Sequence, residues 1–104
     1  MKQYLVRLSP DAIADLQLIY DWLEEEAGDK IANNYTKRIP AFIEKLEFAP
    51  MRGQSFNELR EGYRSIGFER RVNIIFRIED TTVMILRIFY GGQNWEADFA
   101  DEET

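Results

Sequence analysis

The chain has 104 residues, of which 45% are hydrophobic and 31% charged, and this is the composition of one ordinary globular domain. It contains no cysteine and no histidine, so disulfides are excluded, no zinc site or cofactor is expected, and the usual general base near neutral pH is missing. The formal net charge of −6 makes non-specific nucleic-acid binding a poor fit, although residues 36–95 carry ten basic and only seven acidic groups.

No apolar run in the sequence approaches the roughly 20 residues that a membrane-spanning helix needs. The first ten residues contain too short an apolar stretch for a signal peptide. We therefore expect a cytoplasmic protein with no membrane partner.

The chain begins with a predicted strand and helix. Residues 4–8 alternate between the two faces of a strand, and Ser9 can then accept a hydrogen bond from an unpaired N–H of a helix that starts at Pro10. Gly28 ends this helix. Its predicted inward stripe is Ile13, Leu16, Tyr20 and Leu23, with Ile19 and Trp22 beside it.

A second helix is predicted from Lys30 to about Phe48, antiparallel to the first. Pro40 lies inside this helix and predicts a kink or a break into two pieces, because proline removes a helical hydrogen bond. The inward stripe of the second helix is Ile31, Tyr35, Ile39, Phe42 and Leu46.

Three further strands are predicted between Gly62 and Gly91. The middle one alternates apolar and polar residues, broken once by Ile75, and the polar residues 79–82 predict a hairpin turn. The last strand, residues 83–90, is apolar on both faces and must be covered on both. Strict alternation assigns Met84, Leu86, Ile88 and Tyr90 to one face, and Val83, Ile85, Arg87 and Phe89 to the other.

These elements predict an α+β fold of order β-α-α-β-β-β, in which a helical hairpin packs on a mainly antiparallel twisted sheet. We expect residues 1–104 to form a single domain that ends in a flexible acidic tail from about residue 96. The face of the last strand away from the helices needs a cover, which either Trp95 and Phe99 of the tail or a partner could supply.

Charged residues supply the candidate functional groups. Asp11 and Asp15, four residues apart at a helix start, are interpreted as a solvated helix face. Arg87 is harder to explain, because a charge in a strand that is apolar on both faces must be paired or exposed at a concave surface. Arginines near Tyr90 and Trp95, without histidine, suit a binding surface better than a proton-transfer site.

Four segments in order carry a family resemblance: RLSPDAIADLQLIYDWL, then LEFAP followed two residues later by glycine, then LREGYRSI, then a strand that ends RIFYGG. Together they resemble the RelE/ParE superfamily of bacterial toxins, and within it the ParE branch of plasmid-stabilisation toxins. The resemblance covers about residues 4–92. It implies a toxin of a type II toxin–antitoxin system.

The resemblance also implies partners. The antitoxin would be ParD-like, with a DNA-binding domain that contacts operator DNA and a C-terminal segment that wraps the toxin. The expected target is DNA gyrase, inhibited by binding, so we do not expect an enzyme. Two alternatives remain: a RelE-like ribosome-dependent mRNA endonuclease that uses Tyr90 for proton transfer, and a non-toxic interaction module of the same fold.

Two sets of site residues follow, and neither set includes a catalytic or metal-binding residue. The predicted target-binding residues are Arg64, Arg71, Arg87, Tyr90 and Trp95. The predicted antitoxin-binding residues are Leu16, Ile19, Trp22, Leu23 and Phe42.

Overall fold

In the computed structural model two helices pack on one face of a twisted, mostly antiparallel sheet, and residues 3–48, 51, 53–55 and 61–91 are described. The helices and strands in chain order are β1 (Leu5–Leu8), α1 (Pro10–Ala27), α2 (Asp29–Glu44), a 3-10 turn (Lys45–Glu47), β2 (Gln54–Ser55), β3 (Tyr63–Phe68), β4 (Val72–Glu79) and β5 (Thr82–Tyr90). The predicted α+β class and element order are confirmed, with the two-residue β2 as an addition.

The sheet has the strand order β1-β5-β4-β3-β2. Neighbouring strands are antiparallel except for β1, which lies parallel to β5 and pairs with it from Leu5–Thr82 to Leu8–Ile85. The β3–β4 hairpin turns through Glu69 and Arg70, whose φ angles of 50° and 64° give the strand twist that tight hairpins favour. β5 is therefore central where β1 lies beside it, and loses that neighbour after Ile85.

α1 begins and ends where the sequence predicts, whereas α2 (Asp29–Glu44) ends before the predicted Phe48 and is followed by the 3-10 turn Lys45–Glu47. The Ser9 hydroxyl accepts a hydrogen bond from the Ala12 N–H at 3.0 Å, and Gly28, with φ at +94°, donates its N–H to Glu24 at 2.9 Å. α2 continues through Pro40 as one helix, so a break into two pieces is wrong, and the alternative of a kink stays a prediction. The buried face of α2 offsets the single hydrogen bond that proline removes. No helix in the described part of the chain is long and apolar enough to cross a membrane.

The helices are turned relative to the predicted stripes. Ile13 and Ile31, both predicted to point inward, are 57% and 54% exposed, whereas Ala12 and Ala32 are fully buried. Small residues at these positions allow the two helices to lie close to each other and to the sheet, and a stripe drawn only through large apolar residues misses them. The buried residues of the helices are Ala12, Asp15, Ile19, Leu23, Ala32, Ile39 and Ile43.

A β-bulge in β5 changes which side chains face the helices. Ile75 of β4 pairs with Arg87 while the next residue, Phe76, pairs with Ile85, so Leu86 is an extra residue. Strict alternation along β5 is therefore wrong beyond the bulge, because one extra residue moves all later side chains to the opposite face. Val83, Ile85 and Ile88 all lie in the helix-side core.

The opposite face of the sheet has its own small core. Ile75 and Phe89 are 0% and 4% exposed, and the partly buried Tyr63 and Leu86 pack against them. This agrees with the prediction that the last strand needs cover on both faces. The predicted covering residues, Trp95 and Phe99, lie outside the described residues, and so does the acidic tail.

Gly53 lies where only glycine fits. Its φ is +85°, and a Cβ there would be 2.2 Å from the carbonyl oxygen of Ser65 on β3. We expect Gly53→Ala to lower the free energy of unfolding by about 3 kcal/mol in urea denaturation. Gly62→Ala is the matched control, with φ at +82° and nothing within 4 Å of the added carbon; we expect it to cost only about 1 kcal/mol. Equal losses for the two variants would contradict the steric explanation.

Candidate partner-binding site

A cleft of about 550 Å³ opens between α1 and the C-terminal end of β5. Its lining residues come from α1, from the turn before β4 and from the end of β5: Asp15, Leu18, Ile19, Trp22, Arg71, Arg87, Ile88, Phe89, Tyr90 and Gly91. The volume lies in the range of protein ligand sites, and most of the lining side chains are apolar.

A buried ion pair lies at one wall of the cleft. Arg87 donates from Nε and Nη2 to the two carboxylate oxygens of Asp15, at 2.8 and 3.0 Å. The same carboxylate accepts the backbone N–H of Ile88 at 2.8 Å. Asp15 is only 6% exposed, so the predicted solvated helix face is wrong for this residue. A bidentate pair with a third hydrogen bond is the arrangement that allows two charges to be buried.

The topology of the sheet explains why Asp15 is needed there. β1 ends at Leu8, so β5 loses its strand partner on that side after Ile85. The Ser9 hydroxyl then donates to the carbonyl of Leu86 at 2.9 Å, and Asp15 accepts from Ile88. The side chains of Ser9, which caps α1, and of Asp15 within α1 thus satisfy the backbone groups that a longer β1 would have bonded.

The ion pair limits how much of the Arg87 guanidinium a partner can contact. Its side chain is 15% exposed, and its guanidinium carbon lies 4.7 Å from the centre of the Phe89 ring. The sequence predicts that this charge is paired or exposed, and the structure shows it paired with a carboxylate of its own chain. A role for Arg87 in binding a target stays a prediction.

Five aromatic rings form a continuous row from the cleft along the helix–sheet boundary. Trp22 contacts Tyr90 with ring centres 5.1 Å apart, and Tyr90 contacts Tyr35 at 5.8 Å. The ring centre of Phe68 lies 6.0 Å from that of Tyr35, and the ring centre of Phe42 lies 5.0 Å from that of Phe68. Edge-to-face and tilted contacts at these distances are favourable. Trp22, 48% exposed, is the end of the row that meets solvent.

Tyr35 adjoins the cleft through its contact with Tyr90, although the sequence predicts it only as a core residue. Burial raises the pKa of its hydroxyl, with further contributions from Tyr90 and Glu69. Within the described part of the chain the hydroxyl oxygen is buried and has no hydrogen-bond partner. The sequence does contain a signal for this position, namely a tyrosine in the inward stripe of α2. A buried tyrosine hydroxyl needs a hydrogen-bond partner or access to a surface, so such a residue indicates a site at the edge of the core.

Arg71 contributes a positive charge at the rim of the cleft. It lies in the turn before β4, is exposed, and its carbonyl accepts the N–H of Gly91 at 2.7 Å. This hydrogen bond ties its backbone to the end of β5. Among the described residues its guanidinium makes no ion pair, whereas the nearby Arg38 is bonded to Glu69 at 2.9 Å.

The two predicted binding sets meet in this cleft. Arg71, Arg87 and Tyr90 of the target set line it together with Ile19 and Trp22 of the antitoxin set. Leu16 and Leu23 instead pack in the helix-side core, and Phe42 is at the far end of the aromatic row.

Arg64 is not part of the cleft, and Trp95 lies outside the described residues. Arg64 is on β3, two strands from β5, where its Nη2 donates to the carbonyl oxygens of Met51 and Gly53 at 2.8 and 3.1 Å. These bonds hold the loop before β2.

Comparisons with known proteins agree with this architecture. A family model described as the ParE toxin of type II toxin–antitoxin system, parDE, matches residues 6–95. Toxin ParE1 of Caulobacter vibrioides is 34% identical over 97 residues, which cover 93% of this chain and 97% of that protein.

Two solved structures share the fold. The chromosomal ParDE toxin–antitoxin system of P. aeruginosa matches with a TM-score of 0.77 and 24% identity, over 86% of this chain and 98% of that one. The toxin–antitoxin complex RelBE2 of Mycobacterium tuberculosis matches with a TM-score of 0.63 and 26% identity, over 85% and 98%. The predicted resemblance is confirmed, and the chain belongs to the ParE family of toxins from type II toxin–antitoxin systems.

Proposed function

We propose that a ParD-like antitoxin neutralises this toxin by laying its C-terminal segment over α1 and the adjoining cleft. Leu18 and Trp22 are 65% and 48% exposed on α1 and line the cleft, which supports a partner on this face. The solved ParDE system and RelBE2 complex, both of this fold, pair a toxin with an antitoxin. Operator DNA is then contacted only through the antitoxin.

The toxin itself acts by binding, and its target is DNA gyrase. The observation that carries this proposal is the Asp15–Arg87 pair, because it holds the one carboxylate among the described lining residues. The oxygens of this carboxylate already accept three hydrogen bonds, so they are occupied within the fold and do not face a substrate proton. The chain also lacks histidine, so an aromatic and arginine surface fits recognition better than proton transfer.

The test is to express the chain alone in a bacterial host and to assay the purified protein against gyrase. We expect growth arrest, a DNA-damage response and loss of gyrase supercoiling, and rescue when a ParD-like antitoxin is expressed with it. Tyr90→Phe keeps the aromatic row and removes only the hydroxyl, so we expect all three effects to weaken at most and none to be abolished.

Two results would contradict the gyrase proposal. Cuts in ribosome-bound mRNA that Tyr90→Phe abolishes, with gyrase unaffected, would assign the RelE-like endonuclease activity instead. Normal growth and full gyrase activity at high expression would leave only an interaction module of this fold.

A further inference from the structure

The cleft combines an apolar base with aromatic walls. Ile19 and Ile88, which lie against it, are 5% and 2% exposed, and the rings of Trp22 and Tyr90 form one wall. A space of about 550 Å³ accepts more than one large side chain. Burying an aliphatic or aromatic side chain there is favourable at about 25 cal/mol per Å² of apolar surface.

The charge at the cleft is positive and confined to its rim. Asp15 and Arg87 neutralise each other inside the wall. Arg71 is exposed at the rim, makes no ion pair within the described residues, and is tied to the end of β5 through Gly91. An apolar group that enters the cleft therefore brings its neighbouring residue close to one positive charge.

We infer that the antitoxin segment in this cleft carries a bulky apolar side chain next to an acidic residue, whose carboxylate meets Arg71. This inference rests on the proposed function. It implies that the antitoxin blocks the target directly, because Arg71 and Tyr90 belong to the residues predicted to bind the target. An antitoxin seated here and the target then compete for the same side chains.

The experiment uses the full chain with Trp95→Phe, so that Trp22 is the one tryptophan and reports on the cleft. The probe is an acetylated and amidated heptapeptide, Ala-Leu-Glu-Phe-Leu-Glu-Ala, and its counterpart has lysine at both glutamate positions. Titration of Trp22 fluorescence gives both dissociation constants. We expect the acidic peptide to bind about three- to tenfold more tightly than the lysine peptide. Glutamate attracts the exposed Arg71 guanidinium and lysine repels it, and exposed charge pairs change binding by about that factor.

Arg71→Glu and Arg70→Glu form a matched pair, since each changes the net charge equally and both residues are exposed in the same turn. Only Arg71 lines the cleft. We expect Arg71→Glu to abolish or reverse the preference for the acidic peptide and Arg70→Glu to keep it within twofold. Equal effects of the two variants, or unchanged Trp22 emission with both peptides, would overturn the inference.

A second measurement separates this inference from the proposed function. The affinity of the antitoxin is compared for the Arg71→Glu and Arg70→Glu chains. If only Arg71→Glu lowers the affinity for the antitoxin, the result supports binding of the antitoxin segment in the cleft. If the antitoxin rescues growth and binds both variants equally, the toxin–antitoxin function stands and the cleft assignment fails. The peptide titration needs no antitoxin, so it still tests the cleft if rescue fails.

Discussion

Asp15→Ala is expected to lower the free energy of unfolding by about 3–5 kcal/mol, the range for breaking one side of a buried ion pair. The reason is that Arg87, whose side chain is 15% exposed, loses its counter-charge, and the Ile88 N–H loses its acceptor. The measurement is urea denaturation followed by circular dichroism, with linear extrapolation to water.

Asp11→Ala is the natural control, because Asp11 lies one turn earlier on the same helix and is exposed. Its carboxylate lies in the first turn, near the positive end of the helix, so its loss should cost about 0.3–1 kcal/mol. A paired change, Asp15→Leu with Arg87→Met, removes both charges and should recover the part of the loss that comes from the unpaired arginine, while the Ile88 N–H still lacks its acceptor. Similar losses for Asp11→Ala and Asp15→Ala would show that the ion pair contributes little.

The fold class could be predicted because each element has its own local signal. Ser9, Pro10 and Gly28 bound α1, and the alternation of Val72, Ile74 and Phe76 indicates a half-buried strand. These signals act within a few residues and do not depend on distant contacts. The order of the elements then restricts how two helices can cover one face of a sheet.

The β5 bulge could not be predicted from the same kind of pattern. A strand that is apolar at almost every position looks alike in either register, so hydrophobicity does not fix which residue faces the helices. Pairing with β4 fixes it, because Ile75 and Phe76 pair with Arg87 and Ile85 and leave Leu86 as the extra residue. That information lies between two strands and in neither one alone.

The partner of Arg87 shows a similar limit. Its position in an apolar strand is enough to predict that the charge is paired or at a concave surface. The identity of the partner follows only from β1 ending at Leu8, which brings Asp15 of α1 beside Ile88. Asp11 and Asp15 look equivalent in the sequence, since a spacing of four residues puts both aspartates on one face near the start of the helix.

The sequence predicts two separate binding surfaces, and the fold brings several residues of both into one cleft. Trp22 lies on α1 and Tyr90 at the end of β5, 68 positions apart, yet their rings are 5.1 Å apart. Arg64 is the opposite case. It is predicted to share a surface with Arg87, but it lies away from the cleft because the order β5-β4-β3 places its strand beyond β4. Which arginines share a surface is therefore a property of strand order, and spacing in the sequence does not give it.

Trp22→Ala is expected to weaken the antitoxin complex at least about thirtyfold, which is the roughly 2 kcal/mol typical of a tryptophan at the centre of an interface. Trp22 is 48% exposed in the isolated chain and contacts Tyr90 beside the cleft, so a partner can cover a large aromatic surface that is already held in place. The stability of the toxin alone should fall by only about 1 kcal/mol, the worth of one aromatic contact. Calorimetric titration with the antitoxin, together with thermal unfolding of the free toxin, measures both quantities.

Two variants make this result specific to the cleft. Trp22→Phe keeps a ring against Tyr90 and should retain most of the affinity, whereas Leu5→Ala removes a comparably exposed apolar side chain on β1, outside the cleft, and should leave the affinity within about twofold. If Leu5→Ala weakens the complex as much as Trp22→Ala does, the antitoxin is recognised through its total apolar area and not through this cleft. A thirtyfold loss of affinity confined to Trp22→Ala would instead place Trp22, the exposed end of the aromatic row, at the centre of the interface. The indole of this one residue would then supply a large part of the binding energy.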